Sequence, residues 1–113
     1  MKLRLTEDEI RLRLSAAEVN DLAVLGRIDE RIDLGSSAGG GFAFLLETGE
    51  FPSLSATFEA GELKVAIPSD LARRWTGTDL IGIEADQETG EKKVRILVEK
   101  DLGRRSARLQ GRK

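Results

Sequence analysis

The sequence predicts a small, mostly β domain that contains two short helices. Two observations support this class: apolar residues alternate with polar residues along most of the chain, and two segments with helical spacing each follow such an alternating segment. The order strand, strand, helix, strand, strand occurs twice, which predicts internal repeats at residues 2–47 and 53–99. We therefore expect a small barrel built from two ββαββ repeats. An open α+β sheet with both helices on one face is the alternative.

The first repeat begins with a hairpin in which cations alternate with leucine and isoleucine. Its four strands are predicted at Lys2–Leu5, Ile10–Leu14, Arg27–Leu34 and Phe42–Glu47. Ser15 and Glu18 have the spacing of a capping box, so a helix is expected to begin after Ser15. Gly26 is its expected end, because glycine adopts the left-handed conformation that terminates many helices.

The second repeat follows the same order. Its strands are predicted at Ser53–Glu59, Leu63–Ile67, Leu80–Glu84 and Val94–Glu99. Pro68 ends the second of these strands, and Ser69 is the expected cap of a short helix. Leu71 and Trp75 fall on the buried face of that helix. The acidic residues 85–93 are expected to form a loop.

Composition limits the chemistry of the chain. Its 113 residues include no cysteine, histidine or tyrosine, so the commonest nucleophiles, general bases and metal ligands are absent. No catalytic, cofactor or metal site is predicted, and we expect a protein that is not an enzyme. No apolar run reaches the roughly 20 residues that span a bilayer, and the sequence start lacks a signal-peptide core. A cytoplasmic protein without membrane contact is expected.

The charge is divided unevenly along the chain. We expect one domain at residues 1–102 and a basic, disordered tail at residues 103–113. The net charge is −2, yet the first hundred residues carry 13 basic and 19 acidic side chains, a balance of −6. An acidic body is atypical of a nucleic-acid-binding domain, so nucleic acid is an allowed partner but not the favoured one.

The first hairpin contains the best candidate binding surface. If its apolar residues, Leu5 included, face inward, four cations must face outward together. These cations are Lys2, Arg4, Arg11 and Arg13. Arginines in such a group can bind phosphates or the carboxylates of a partner. The alternative is that the acidic turn at residues 7–9 and neighbouring strands neutralise them.

Two further sets of arginines are weaker candidates for an anionic partner. Arg73 and Arg74 lie on the outer side of the second predicted helix, where local pairing with acidic neighbours is the plainer interpretation. Arg104, Arg105 and Arg108 lie in the basic tail.

Residues 54–99 resemble the swapped-hairpin barrels of AbrB- and MazE-type regulators. The resemblance depends on a strand, the pattern V-x-I-P-x-x-L, a short helix and two further strands. The matching residues are Val65, Ile67, Pro68, Leu71, Asp79 and Ile83. In that family each of two chains contributes half of the barrel, so the resemblance implies that one chain here contains both halves.

Nearly the whole chain is also similar to a family of small uncharacterised bacterial proteins. The shared segments include IRLRLSAAEV, GRIDE, FAFLLE and IPSDLARRWTGTDLIGIE. This similarity implies no site.

Together, these features predict a non-enzymatic binding module. Its partner is an unknown protein or a second copy of the chain, and the four hairpin cations form its binding surface. The alternatives are an AbrB/MazE-like DNA-binding regulator and a ligand-binding barrel or enzyme that uses carboxylate chemistry.

Overall fold

The computed structural model describes residues 1–35 and 40–102. Within these residues the chain forms eight strands and two helices, in the predicted order ββαββββαββ. The strands are β1 (Lys2–Thr6), β2 (Glu9–Leu14), β3 (Arg27–Asp33), β4 (Gly41–Gly49), β5 (Ser55–Glu59), β6 (Glu62–Pro68), β7 (Gly82–Thr89) and β8 (Lys92–Lys100). The helices are α1 (Ala16–Leu25) and α2 (Ser69–Gly77).

The strands form two four-stranded sheets, and each sheet contains strands from both halves of the chain. Sheet A has the order β1-β2-β8-β7 and sheet B the order β3-β4-β6-β5, so each sheet takes one hairpin from each half. The two hairpins of a sheet meet through a parallel pair, β2 with β8 or β4 with β6. The mostly β prediction is confirmed. In the described residues the barrel is not closed, because no ladder of backbone hydrogen bonds joins sheet A to sheet B, and the architecture is compatible with the open α+β alternative.

One cluster of buried apolar side chains joins both sheets and both helices. It includes Leu12 from sheet A, Val65 from sheet B and Trp75 from α2. Trp75 is fully buried, as its helical spacing predicts. Its indole Nε1 donates a hydrogen bond of 2.9 Å to the carbonyl of Ile81, so that burial leaves its polar group with a partner.

The two helices begin differently. At α1 the predicted capping box is present: the Glu18 N–H donates to Ser15 Oγ at 3.2 Å, and the Ser15 N–H donates to a Glu18 carboxylate oxygen at 2.9 Å. Gly26 ends α1 at φ 78°, as expected. The predicted cap at Ser69 is wrong. β6 runs directly into α2, so Pro68 occupies the capping position and Ser69 is already helical.

The acidic loop predicted at residues 85–93 is also wrong. β7 continues to Thr89 and β8 begins at Lys92, so only Gly90 and Glu91 form the turn. Gly90 adopts φ 78°, a conformation that glycine tolerates better than other residues. The acidic side chains of β7 occupy alternate positions on its solvent side, where a strand accommodates charge at little cost.

Several apolar side chains depart from the predicted burial. Leu5, which the alternation places on the inward side, is 52% exposed, and Ile32 and Leu34 are 46% and 71% exposed. Leu5 and Ile32 lie in the edge strands β1 and β3, which have a neighbouring strand on one side only. Leu45, whose side chain points away from the core-facing side of β4, is nevertheless buried, and the corresponding Leu97 is half-buried.

Candidate anion-binding site

The four predicted cations lie together on the outward side of the β1–β2 hairpin. Lys2 is paired with Arg13, and Arg4 with Arg11, in antiparallel register. These side chains and Leu3 line a depression of about 280 Å³. We call the four cations the basic hairpin face. Like charges at directly opposite positions of two strands repel each other, so this face requires anionic groups.

Glu99 of β8 is the principal anion at the basic hairpin face. The parallel pairing of β2 with β8 places it directly beside Arg13. Arg13 donates to Glu99 Oε1 from Nη2 at 3.0 Å and from Nε at 3.2 Å. The Glu99 side chain is only 16% exposed, so solvent screens this contact less than it screens a surface pair.

Arg11 contacts the same carboxylate in a less favourable geometry. Its Nε lies 3.2 Å from Glu99 Oε1, which is ion-pair distance, but the N–H is not aligned for a hydrogen bond. This Nε is buried and is the one buried side-chain polar atom without a hydrogen-bond partner in the described part of the chain. A buried donor without a partner is unfavourable by about 1–3 kcal/mol.

The remaining two cations are more exposed. Lys2 Nζ lies 3.7 Å from a carboxylate oxygen of Asp101, and its side chain is 76% exposed. Arg4 is exposed and has no ion pair among residues 1–35 and 40–102. Within the described part of the chain, four positive charges therefore meet two carboxylates, Glu99 and Asp101, which leaves an excess of two positive charges.

The acidic turn after β1 does not supply the missing anions. Asp8 accepts a hydrogen bond of 3.0 Å from the Thr6 hydroxyl, and Glu9 lies 3.9 Å from Arg95 of β8. Neither carboxylate forms an ion pair with the basic hairpin face. Glu7 likewise forms no ion pair with it in the described part of the chain, so the neutralisation expected from residues 7–9 is wrong. The neutralisation expected from a neighbouring strand is present in part, because Glu99 of β8 contacts Arg11 and Arg13.

The opposite edge of sheet A is acidic on the same outward side. Glu84, Asp86 and Glu88 alternate along β7, where the polar side chains face solvent. Arg95 of β8 donates to Glu84 Oε1, from Nε at 3.1 Å, and this hydrogen bond raises the pKa of Arg95. The outward side of sheet A is thus divided into a cationic half on β1–β2 and an anionic half on β7.

The amino group of Met1 forms a separate ionic contact behind β1. It donates to the carboxylates of Glu18 and Glu30, the latter at 2.7 Å. Desolvation lowers the pKa of this amino group, but the hydrogen bonds from it to the two carboxylates outweigh desolvation and raise its pKa. Desolvation likewise raises the pKa of Glu18, and the contacts with the amino group and Ser15 outweigh it and lower that pKa.

The weaker candidate arginines lie outside this depression. Arg73 and Arg74 are exposed on α2, and Arg73 pairs with Asp70 one turn earlier, as the plainer interpretation of these residues predicts. Neither lines the depression between β1 and β2. Arg104, Arg105 and Arg108 lie outside the described residues.

The geometry of the basic hairpin face suits a carboxylate or phosphate oxygen. Arg4 and Arg11 present guanidinium groups at opposite positions of two strands, and guanidinium donors match the fork of a carboxylate. The sequence pattern was sufficient to find these cations. It did not indicate Glu99 or Asp101, because their contacts depend on the parallel pairing of β2 with β8.

These observations define a β-rich domain of two sheets that exchange hairpins and carry a basic face. No helix in the described ranges has both the length and the hydropathy required to cross a membrane. Residues 1–105 match the family of unknown function DUF7009, and the chain belongs to that family. The expected similarity to an uncharacterised family is thereby confirmed. No curated protein and no solved structure matches the chain.

Proposed function

We propose that this protein is a non-enzymatic binding module that holds an acidic segment of a partner protein on the basic hairpin face. The observation that carries the proposal is the uncompensated charge there: four cations line one depression, and two carboxylates contact them. A carboxylate of the partner would pair with Arg4 and lie near the buried Nε of Arg11. Hydrogen bonds between ionised groups are roughly twice as strong as neutral ones.

The dimensions of the basic hairpin face favour a protein carboxylate over nucleic acid. Duplex DNA carries one phosphate per about 1.7 Å of helix axis, so a protein that binds it needs cations along an extended surface. Here the cations occupy one hairpin, and the other edge of the same sheet carries Glu84, Asp86 and Glu88. Those carboxylates would repel a long polyanion, whereas a short acidic segment would lie clear of them.

The exchange of hairpins between the two halves of the chain supports a second proposal. A domain of this connectivity, with the Val65–Leu71 pattern at the entry to α2, is consistent with an AbrB/MazE-like DNA-binding regulator. Such a protein would act in the bacterial cytoplasm. We place it second because the charge division on sheet A opposes binding of a long polyanion.

Fluorescence anisotropy distinguishes the two proposals. The probes are a labelled twelve-residue polyglutamate peptide and a labelled 20-base-pair duplex, both at low salt. We expect the wild-type protein to bind the peptide and the double variant Lys2→Glu/Arg4→Glu to bind it at least tenfold more weakly. These positions are exposed, so the variant should fold normally.

The matched control is Arg73→Glu/Arg74→Glu, which makes the same charge change on α2 and should leave peptide binding unchanged. Binding of the duplex that is tighter than binding of the peptide would favour the regulator. If neither probe binds at low salt, the basic hairpin face does not bind anionic partners.

A further inference from the structure

The two sheets adjoin along a seam between β5 and β7, and a glutamine closes this seam. Gln87 of β7 reaches from sheet A to the backbone of Ala56 in β5, the edge strand of sheet B. The Ala56 N–H donates to Gln87 Oε1 at 2.8 Å, and Gln87 Nε2 donates to the Ala56 carbonyl at 2.8 Å. The amide side chain therefore occupies both edge-facing backbone groups of Ala56, as a neighbouring strand would.

The corresponding edge strands of the two sheets are β1 and β3, and the Met1 amino group, just before β1, donates to Glu30 of β3 at 2.7 Å. We call this pair of edges the second seam, and the strand registers show which of its residues correspond to those of the first. Ala56 is paired with Val65 in the β5–β6 hairpin, and Leu3 is paired with Leu12 in the β1–β2 hairpin. Each hairpin has a two-residue turn, and its second strand leads into a helix. The helix begins the same number of residues after the turn in both cases. Leu3 is therefore the counterpart of Ala56.

The counterpart of the bridging glutamine is Ile32. Gln87 is paired with Val94 in the β7–β8 hairpin, and Ile32 is paired with Phe42 in the β3–β4 hairpin. Gln87 and Ile32 each lie the same number of residues after the start of the strand that follows a helix. An isoleucine side chain forms no hydrogen bonds. At the second seam, the side chain at this position therefore cannot form hydrogen bonds with the backbone N–H and C=O of Leu3.

The free backbone groups of β1 follow from the hairpin geometry. Thr6 and Glu9 flank a two-residue turn and form a hydrogen-bonded pair, and such pairs alternate along antiparallel strands. The N–H and C=O groups of Leu3 and Leu5 consequently point away from β2. The same rule correctly directs the backbone groups of Ala56 toward Gln87. No described residue provides a hydrogen bond to the corresponding groups of Leu3 and Leu5.

We propose that β1 receives the acidic partner segment as an added β-strand, an inference that rests on the proposed function. An added strand would place alternate side chains beside Lys2 and Arg4 on the outward side, at cross-strand distances of about 5 Å. The intervening side chains would lie beside Leu3 and Leu5 on the inward side, close to the position of Ile32. The recognised segment therefore alternates acidic with apolar residues, with its main chain supplying hydrogen bonds and its alternate side chains supplying specificity.

A second copy of the chain fits this edge less well. If β1 paired with β1 of another copy, Lys2 and Arg4 of one chain would lie opposite the same cations of the other. Like charges at opposite positions destabilise paired strands, and charged edge strands commonly prevent self-association in this way. The charge of β1 thus opposes self-pairing and favours an acidic segment.

Modified peptides test the added strand directly. The probe is a fluorescein-labelled eight-residue peptide that alternates glutamate with valine, and the control has the same composition in two blocks. We expect the alternating peptide to bind at least fivefold more tightly. N-methylation of all four valines or of all four glutamates removes alternate N–H groups, so one methylated peptide should lose at least tenfold in affinity and the other should retain most of it.

Variants of the protein give a second readout. Leu5→Pro removes an edge-facing N–H without breaking the β1–β2 ladder, since proline is tolerated at such edge positions. Leu5→Pro should weaken binding of the alternating peptide at least tenfold, whereas Phe58→Pro, at the counterpart position on β5, should leave binding unchanged. Ile32→Gln places at the second seam an amide like that of Gln87. This amide should compete for the backbone of Leu3 and weaken binding of the alternating peptide several-fold.

The outcomes separate this inference from the proposed function. If the block peptide and both methylated peptides bind as tightly as the alternating one, the contact depends on charge alone and the added strand is overturned, while the proposed function stands. If no acidic peptide binds, both fail.

Discussion

Replacement of Glu99 by glutamine should lower the stability of the fold and raise its affinity for an anion. The carboxylate is shared by Arg13, whose Nη2 lies 3.0 Å from Oε1, and by Arg11, whose Nε lies 3.2 Å from the same oxygen. Glutamine keeps the shape of the side chain and removes its charge. The substitution thus isolates the electrostatic contribution of one group.

The expected loss of stability follows from the burial of the three side chains. Glu99 is 16% exposed, whereas Arg11 and Arg13 are 30% and 42% exposed. An exposed ion pair contributes about 0–1 kcal/mol, and breaking a buried one costs about 3–5 kcal/mol. This partly buried cluster lies between those limits. We expect Glu99→Gln to reduce the free energy of unfolding by about 1–3 kcal/mol.

The expected gain in affinity follows from removal of a competing anion. A bound carboxylate at about 7 Å from Glu99, with an effective dielectric constant of about 40–80, is repelled by about 0.6–1.2 kcal/mol. Removal of that repulsion corresponds to binding of the polyglutamate peptide that is tighter by about 3- to 8-fold at low salt. The gain should decrease as salt is added, because salt screens exposed charges.

Urea unfolding and anisotropy measure the two effects. Trp75 is the single tryptophan and is fully buried, so its fluorescence reports unfolding. Glu84→Gln is the control: Glu84 and Arg95 are 57% and 50% exposed, so loss of this pair should cost less than about 1 kcal/mol. Unchanged stability in Glu99→Gln together with weaker peptide binding would refute the reasoning.

Three further predictions concern the core, a cap and the amino group. Trp75→Phe loses the hydrogen bond to the Ile81 carbonyl and leaves a void, so circular dichroism in urea should show about 2–4 kcal/mol less stability, and an unchanged midpoint would contradict the burial. Ser15→Ala removes the α1 cap and should cost about 0.5–2 kcal/mol by the same measurement, with no loss expected if the capping box is absent in solution. The pKa of Glu18 is lowered in the fold, so the contribution of Glu18 to folding stability is complete above its ordinary pKa of 4.5 and is lost as pH falls through the folded-state pKa. The pKa of the Met1 amino group is raised above 8.0, so its contribution to folding stability is complete below pH 8 and is lost as pH rises through its folded-state pKa. The stability difference between wild type and Glu18→Gln should therefore shrink at both ends of the pH range, and a constant difference would count against the contact.

Local patterns in the sequence predicted most of the elements. Alternation identified the strands, and the Ser15–Glu18 spacing identified the start of α1, because both depend on neighbours within a few residues. The wrong prediction of a loop at residues 85–93 also results from a local pattern. Acidic residues at alternate positions of β7 lower the apparent hydropathy of a strand that is apolar on one side only.

The pairing of distant strands was not predictable from these patterns. The neutralisation of Arg13 by Glu99 requires β2 to lie beside β8, and no periodicity in either segment encodes that choice. The open seam at β1 is a similar case. Ile32 is one of the apolar residues of a strand with alternating character, and only its correspondence with Gln87 shows that a bridging amide is absent from that position.

The exchange of hairpins has a consequence for the order of events during folding. β2 finds its parallel neighbour only when β8 has been synthesised, since residues 9–14 pair with residues 95–100. Neither half of the chain contains a complete sheet, so neither should fold by itself. Contacts so distant in sequence are typical of slow folding, in milliseconds to seconds. On the ribosome, sheet A therefore cannot be completed until residues 95–100 have emerged, and the apolar strands are exposed in the interval.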